Sequence, residues 1–385
     1  MKNPKNNLAK ILIYLGVSLT VRYAVVQYIG DSNMLINTLS IACILIIGIG
    51  FIIPGTAHVI EETTYALSIK TKLAGGLLQS FGTAFPDMVI GVVAALLSLT
   101  KIQSNPAEAA NLAVVAASTT FGSNIYNVLY SAWCIYRQNQ ANKLNKVINI
   151  FPMIKIGGKV KPFSEHPKLP SKVTVDTAIN VLTKLSLLTA LIAMCMVAFG
   201  HVKSPEGMTG DLYQLIPYIG VILFAISAFI LFKFRRSTET NPDEGIENEE
   251  SYYLNANSIR AWLDLFLSAV AILFTAEALV FAIEQICVLT HLSYAIAGVL
   301  TGIIGCLGEI MVVHNLMVNP KGRIGDAITG VAMDNVTTIL GASIVAIIGG
   351  IFLGGNSLII IFVLILTSNS VLIRQLSELN DNIVN

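Results

Sequence analysis

Charge is what this chain has least of. Of its 385 residues only 12% are Asp, Glu, Lys or Arg, where soluble domains carry about a quarter. That scarcity excludes an ordinary water-soluble domain. The net charge of +1, with its charges segregated along the chain, offers no footing for a nucleic-acid partner. Cysteine is sparse too. Cys43, Cys134, Cys195, Cys287 and Cys306 all fall in apolar stretches without C-x-x-C spacing, so they read as small buried hydrophobes, not as a disulfide framework or a zinc site. There is no G-x-x-x-x-G-K-[ST] loop to cradle phosphates, which argues against an ATP-driven pump. No cleavable leader is expected either: the run after Lys10 is long, holds Arg22 and lacks a small-residue cleavage site.

Apolar residues are abundant, at 54% of the chain. Runs of about 20 of them recur, each long enough to cross a hydrocarbon core of ~30 Å. Ten spans are predicted, near 11–30, 34–66, 73–99, 110–136, 179–200, 213–232, 261–289, 292–318, 325–352 and 357–373. If they alternate, Lys2, Lys5, Lys10, Lys70, Lys72, the basic segment 137–178, Lys233, Arg235, Arg236, Arg260, Lys321, Arg323 and Arg374 all fall on one side, and only Lys101 and Lys203 on the other. By the positive-inside rule both termini are then cytoplasmic. Two cytoplasmic segments are long: 137–178, basic and carrying Gly157-Gly158, expected on the membrane surface or partly disordered, and the acidic 237–251, read as a solvated linker.

The chain is organised around Ser80-Phe81-Gly82-Thr83-Ala84-Phe85-Pro86-Asp87. A carboxylate at a helix centre in the bilayer costs several kcal/mol and marks a working site by default. Pro86 has no N–H, so the carbonyl near Gly82 is expected to lose its partner and the helix to bend or break. Carboxylate, hydroxyl and freed carbonyl oxygens together are the ligand set of a hard cation.

The stretch is repeated. Shifted by 222 positions, Glu62 falls on Glu284, Gly76 on Gly298 and Asp87 on Glu309, within Ile304-Gly305-Cys306-Leu307-Gly308-Glu309. A polar apolar-span follows each copy: Gly122-Ser123-Asn124-Ile125-Tyr126-Asn127 and Met333-Asp334-Asn335-Val336-Thr337-Thr338. Five spans separate the two acids, so the copies run through the membrane in opposite directions. Inverted repeats with broken helices around a polar site describe a secondary transporter. The rival, that Asp87 and Glu309 form fold-stabilising ion pairs, is short of bases: within the spans stand Arg22 and, near the start of 179–200, Lys184.

At these residues the sequence resembles the cation/calcium exchanger superfamily, including the sodium/calcium exchangers. That family carries G-T-S-L-P-E and G-S-N-I-x-N/D in its repeats; here Gly82-Thr83-Ala84-Phe85-Pro86-Asp87 and Gly122-Ser123-Asn124-Ile125-Tyr126-Asn127 stand in their places, and Ala276-Glu277-Ala278-Leu279-Val280 looks like its A-E-L-F-V. The resemblance implies an all-α polytopic membrane protein of about ten transmembrane helices, with two inverted repeats and broken helices at the ion site. It implies a cation site of Thr83, Asp87, Ser123 and Asn127 from the first repeat and Glu309, Asp334 and Thr338 from the second. Ser123 and Asn127 lie one turn apart on one helix face, as do Asp334 and Thr338. Departures are specific. Ala84 and Cys306 replace family serines, Gly305 replaces a threonine, and the acid at Asp334 stands about 5.4 Å, one turn, from its usual place, which Thr338 occupies. Fewer hydroxyls weaken a sodium site and leave room for protons on clustered carboxylates.

The expected organisation is an extra N-terminal transmembrane helix (1–33), a first repeat core (34–136), the basic segment (137–178), two further helices (179–232), a linker (233–260), a second repeat core (261–352), and a last helix with its tail (353–385). The family has two helices after its second repeat where this chain has one, and the extra N-terminal helix is expected to fill the vacant place. Glu62 and Glu284 read as interfacial charges. Glu277 reads as a candidate for lining an ion path, and His314 and Asn315 as hydrogen-bonded packing. The expected activity is antiport of Ca²⁺ against Na⁺ or H⁺ across the plasma (inner) membrane, with no cofactor and no enzymatic activity; the expected partners are the transported cations and the lipid bilayer, with no nucleic acid. An aspartyl enzyme using Asp87 with Asp334 lacks a G-x-G-D sequence and leaves the repeat unexplained; a passive cation channel is a third alternative, separated from an exchanger by whether flux saturates and requires a counter-ion.

Overall fold

The computed structural model describes residues 4–71, 75–153, 157–166, 169–205, 211–238, 252–318, 324–348 and 351–384. Most of the acidic linker, 239–251, lies outside them. Helices account for nearly everything described. In chain order α1 (Pro4–Thr20) runs through a π turn and a 3₁₀ turn to Tyr28, followed by α2 (Met34–Ile47) and α3 (Ile53–Thr71). A π turn over Gly48–Ile52 joins α2 to α3. Pro54 follows it and cannot donate to the carbonyl one turn back, at Gly50, where the widened turn sits. Then come α4 (Gly75–Lys101) and α5 (Pro106–Leu144). Asn105 caps α5: its Oδ1 accepts from the Glu108 amide at 3.2 Å and its Nδ2 donates to Glu108 Oε2 at 3.0 Å, with Pro106 in the first turn. Asn145, at φ 47°, ends the helix in the left-handed region.

The basic segment is built, not loose, where it is described. α5 extends eight residues beyond the predicted span, and β1 (Ile148–Asn149) pairs antiparallel with β2 (Lys159–Val160). α6 (Lys172–Phe199) starts on a Ser171 cap. β3 (His201–Val202) and β4 (Leu212–Leu215) lead into α7 (Pro217–Thr238). The short α8 (Tyr252–Asn255) precedes α9 (Ser258–Thr290), α10 (Tyr294–Gly305), α11 (Leu307–Met317) and α12 (Ile324–Ile348). Finally β5 (Ile351–Gly354) adds to β4, completing the antiparallel order β3-β4-β5, and α13 (Gly355–Val384) ends the chain.

Each of the ten predicted stretches is helical over most of its length. Among the described residues seven helices are long and apolar enough to cross a membrane, by length and composition, and Pro217–Lys233 and Tyr294–Ile303 are shorter apolar helices. This is an integral membrane protein. α5 falls outside those seven because its middle carries Ser118, Thr119, Thr120, Ser123, Asn124, Asn127 and Ser131. All are buried, so the helix turns its polar groups to protein and not to lipid.

Packing is reciprocal between the two halves: α10 lies on α5, and α12 lies on α4. α13 rests on α5 and α6, α7 on α12, and α3 on α9. The contact of α10 with α5 is backbone-close. A Cβ on Gly302 would stand 2.5 Å from the Ser123 amide nitrogen, and one on Gly122 would stand 2.9 Å from Val299 Cα. Only small residues allow two membrane helices this approach.

One expectation needs correction. The proline copy is not the broken one: α4 continues as helix through Pro86, whereas the second copy is interrupted at Cys306 (φ −89°, ψ 4°) between α10 and α11. One missing N–H removes one hydrogen bond and is bridged by its neighbours; Gly305 and Gly308 flanking Cys306 weaken several successive positions. The N-terminal helix sits against the second half: α1 packs on α9, with Tyr14 lying over Gly55 of α3 and its ring 5.1 Å from that of Phe51.

Candidate functional site

Glu309 stands in the first turn of α11, just past the break, where a helix N-terminus favours an acid. Across from it, Asn127 on α5 donates from Nδ2 to Glu309 Oε2 at 2.8 Å. The bond joins residues 182 apart in sequence, one from each half. Both side chains are 2% exposed, so the carboxylate is held by an amide inside the protein. Asn127 Oδ1 has no hydrogen-bond partner and is buried, which leaves an acceptor oxygen beside the acid.

The other predicted ligands that can be described are also interior. Ser123, one turn before Asn127, gives its hydrogen to Thr120 O at 2.9 Å. Thr338 gives its hydrogen to Asp334 O at 2.9 Å, within α12. A hydroxyl whose hydrogen is committed to its own helix presents oxygen lone pairs outward. Asp334 is 4% exposed, a second buried acid. α4 packs on both α5 and α12, and Met88 reaches Gly341 of α12, where a Cβ would meet Met88 Cγ at 2.9 Å. The backbone of Thr83 and Asp87 is thereby carried into the same bundle, but their side chains lie outside the described residues. Among the described residues no three His, Cys, Asp or Glu side chains cluster closely enough to hold a metal.

Arg22, a base the sequence places within a span, pairs with Glu277 of α9, and its guanidinium lies over the Tyr23 and Phe281 rings at 5.3 and 5.5 Å. Glu277 therefore ties the N-terminal helix to α9. Glu62 is met by His58 one turn earlier, at 3.4 Å. Tyr253, buried under α8, donates to Asp264 Oδ2 at 3.0 Å, and Arg260 donates to the same oxygen. Burial and the nearby Asp264 carboxylate push the Tyr253 hydroxyl well above the usual tyrosine range.

Sequence reading passed over Asn124 and Asn335. Each directly follows a predicted ligand, Ser123 or Asp334, each is buried, and each has an unpartnered Oδ1. Their equivalent places in the two polar segments were the available signal. It also passed over the pairing of His314 with Tyr130, which share a hydrogen bond of 2.5 Å.

The chain as a whole is similar in fold to solved structures. A structure described as native YfkE matches with a TM-score of 0.55 at 12% identity, over 98% of this chain and 97% of that one. The H⁺/Ca²⁺ exchanger CAX matches with a TM-score of 0.53 at 10% identity, over 97% of each chain. The sodium-calcium exchanger NCX_Mj gives 0.44 at 14% identity, over 89% of this chain and 96% of its own. No protein-family model matches the sequence, and no curated protein matches it. At these identities the likeness defines the fold, a polytopic helical membrane architecture shared with cation exchangers.

Proposed function

We propose that the protein is a secondary active cation antiporter that exchanges Ca²⁺ for H⁺ or Na⁺ by alternating access. The carrying observation is the buried Asn127–Glu309 bond between the two halves, at the position where the repeat sets an acid against an acid. Asp87, Glu309 and Asp334 would supply negative charge. Thr83, Ser123, Asn127, Thr338 and main-chain carbonyls at the Cys306 break would supply neutral oxygens. Calcium accepts such irregular, oxygen-rich shells, while magnesium holds its waters in a strict octahedron. The CAX fold match supports this reading, since that protein is an H⁺/Ca²⁺ exchanger.

Proton coupling is favoured over sodium by the side chains present. Ala84 and Gly305 bring no side-chain oxygen, and Cys306 directs its Sγ to Ile303 O at 3.4 Å. The membrane would be the plasma (inner) membrane, with both termini and the β1–β2 hairpin cytoplasmic. Asp87→Asn and Glu309→Gln should each abolish ⁴⁵Ca²⁺ exchange in proteoliposomes while the purified protein still elutes as a folded species. Transport retained in both variants would remove the site assignment.

A further inference from the structure

Below the Asn127–Glu309 bond, towards the basic segment, the same two helices are bridged again. Tyr130, three residues on from Asn127, shares its hydroxyl with His314 Nδ1, five residues on from Glu309, at 2.5 Å. On His314 lies a third ring, Phe151 of the loop after β1, with centroids 6.2 Å apart and planes at 15°, a stacked geometry. The loop is shaped to reach there. Gly157 and Gly158 have φ of 102° and 93°; a Cβ on Gly157 would strike the Phe151 ring at 2.8 Å, and one on Gly158 would stand 3.1 Å from Val318 at the end of α11. Such φ values strain any L side chain. α5 ties the hairpin down: Arg137 donates to Asn149 O at 2.6 Å, and Gln138 donates to Lys161 O at 2.8 Å.

α11 is therefore held at both ends, by a ligand bond in its first turn and by a ring stack in its last. It is only 11 residues long and is set off from α10 by one non-helical residue, Cys306. Beside it lies a small cavity, no larger than a water molecule, lined by Ser131, Ile135, Val313, Met317, Ile328 and Leu372, apolar except for Ser131. We propose that Phe151, His314 and Tyr130 form the gate between the ion site and the side of the basic segment, with the β1–β2 hairpin as the strap that holds it shut. This rests on the antiporter reading. His314 and Tyr130 are positioning residues: they set where α11, and with it Glu309, can go.

Native Cys134 reports on the gate. It lies one turn along α5 from Tyr130 and is 0% exposed. A membrane-impermeant maleimide, applied from the side of the basic segment and read by mass spectrometry of the Cys134 peptide, should label the wild type slowly. Phe151→Ala and His314→Ala should be labelled at least fivefold faster, with exchange turnover changed at least threefold. ⁴⁵Ca²⁺ binding by the purified protein should stay within twofold of wild type. His314→Gln, which can still bond Tyr130, should fall between. Phe151 is on the surface side of the stack, so its variant tests the gate even if His314→Ala does not fold. Labelling and turnover within twofold of wild type in Phe151→Ala, with binding intact, would overturn the gate alone. No ⁴⁵Ca²⁺ binding by the wild type would overturn the ion site and the gate with it.

Discussion

Asn127 has two different jobs at its two amide atoms. Its nitrogen satisfies a buried carboxylate, and its oxygen, buried and unpartnered, faces an environment where an unmet acceptor costs about 1–3 kcal/mol. A cation beside it would meet both needs, since it would be bound by the amide oxygen and by the carboxylate that the amide orients. Asn127→Ala removes the donor and the acceptor together. Charge-assisted hydrogen bonds are worth about 1.5–3 kcal/mol, and roughly half of that is recovered if water enters. The half-saturating Ca²⁺ concentration for exchange is therefore expected to rise about tenfold, equivalent to about 1.4 kcal/mol. A concentration series of ⁴⁵Ca²⁺ uptake checks this, and an unchanged half-saturation would place Asn127 outside the ion's shell.

At the scale of elements, α5 and α10 are the pair on which the site's geometry depends. Gly302 faces backbone: the Ser123 nitrogen at 2.5 Å and the Gly122 carbonyl carbon at 2.7 Å from a would-be Cβ. Backbone cannot rotate aside as a long side chain can, so Gly302→Ala must push α10 off α5 and move Ser123 with it. Overpacking of this kind costs about 1–3 kcal/mol. The variant should melt several degrees below wild type in detergent and exchange Ca²⁺ poorly, whereas Gly330→Ala, with nothing within 4 Å, should do neither. The sequence displayed much of this pair. The repeat aligned Gly298 with Gly76, and the polar run of α5 marked it as interior. It did not display which copy breaks, because a proline announces itself in one letter, while the interruption at Cys306 depends on glycines on both sides and on how α10 and α11 pack. Nor did it display the seat of α1, because Arg22 and Glu277 are 255 residues apart and nothing local links them. The hairpin was hidden in the same way: its fixing bonds come from Arg137 and Gln138, on a helix that hydropathy ended too early.

Across the whole molecule, the placement of charge argues for exchange over leak. Three bases on the helices are paired: Arg22 with Glu277, Arg260 with Asp264 and Lys101 with Glu108. Glu309 and Asp334 are buried, and holding a carboxylate charged in a membrane interior costs several kcal/mol. An empty site carrying such charge is a poor state in which to change between open faces. Under the proposed function, loading by Ca²⁺ or by protons would neutralise it, and only a neutralised site would pass readily through the closed arrangement, so the two loads would be traded. With Ala84, Gly305 and Cys306 at positions where a sodium ion would need hydroxyls, protons can neutralise the acids without a complete oxygen shell. Proteoliposomes with an acidic interior should therefore accumulate ⁴⁵Ca²⁺ at least threefold faster than those given an equal outward Na⁺ gradient at constant pH. Glu309→Gln should flatten the difference, because the carboxylate that accepts both loads is gone. Uptake driven by Na⁺ alone would show that main-chain oxygens at the Cys306 break replace the missing hydroxyls, and the assignment of the coupling ion would have to be reversed.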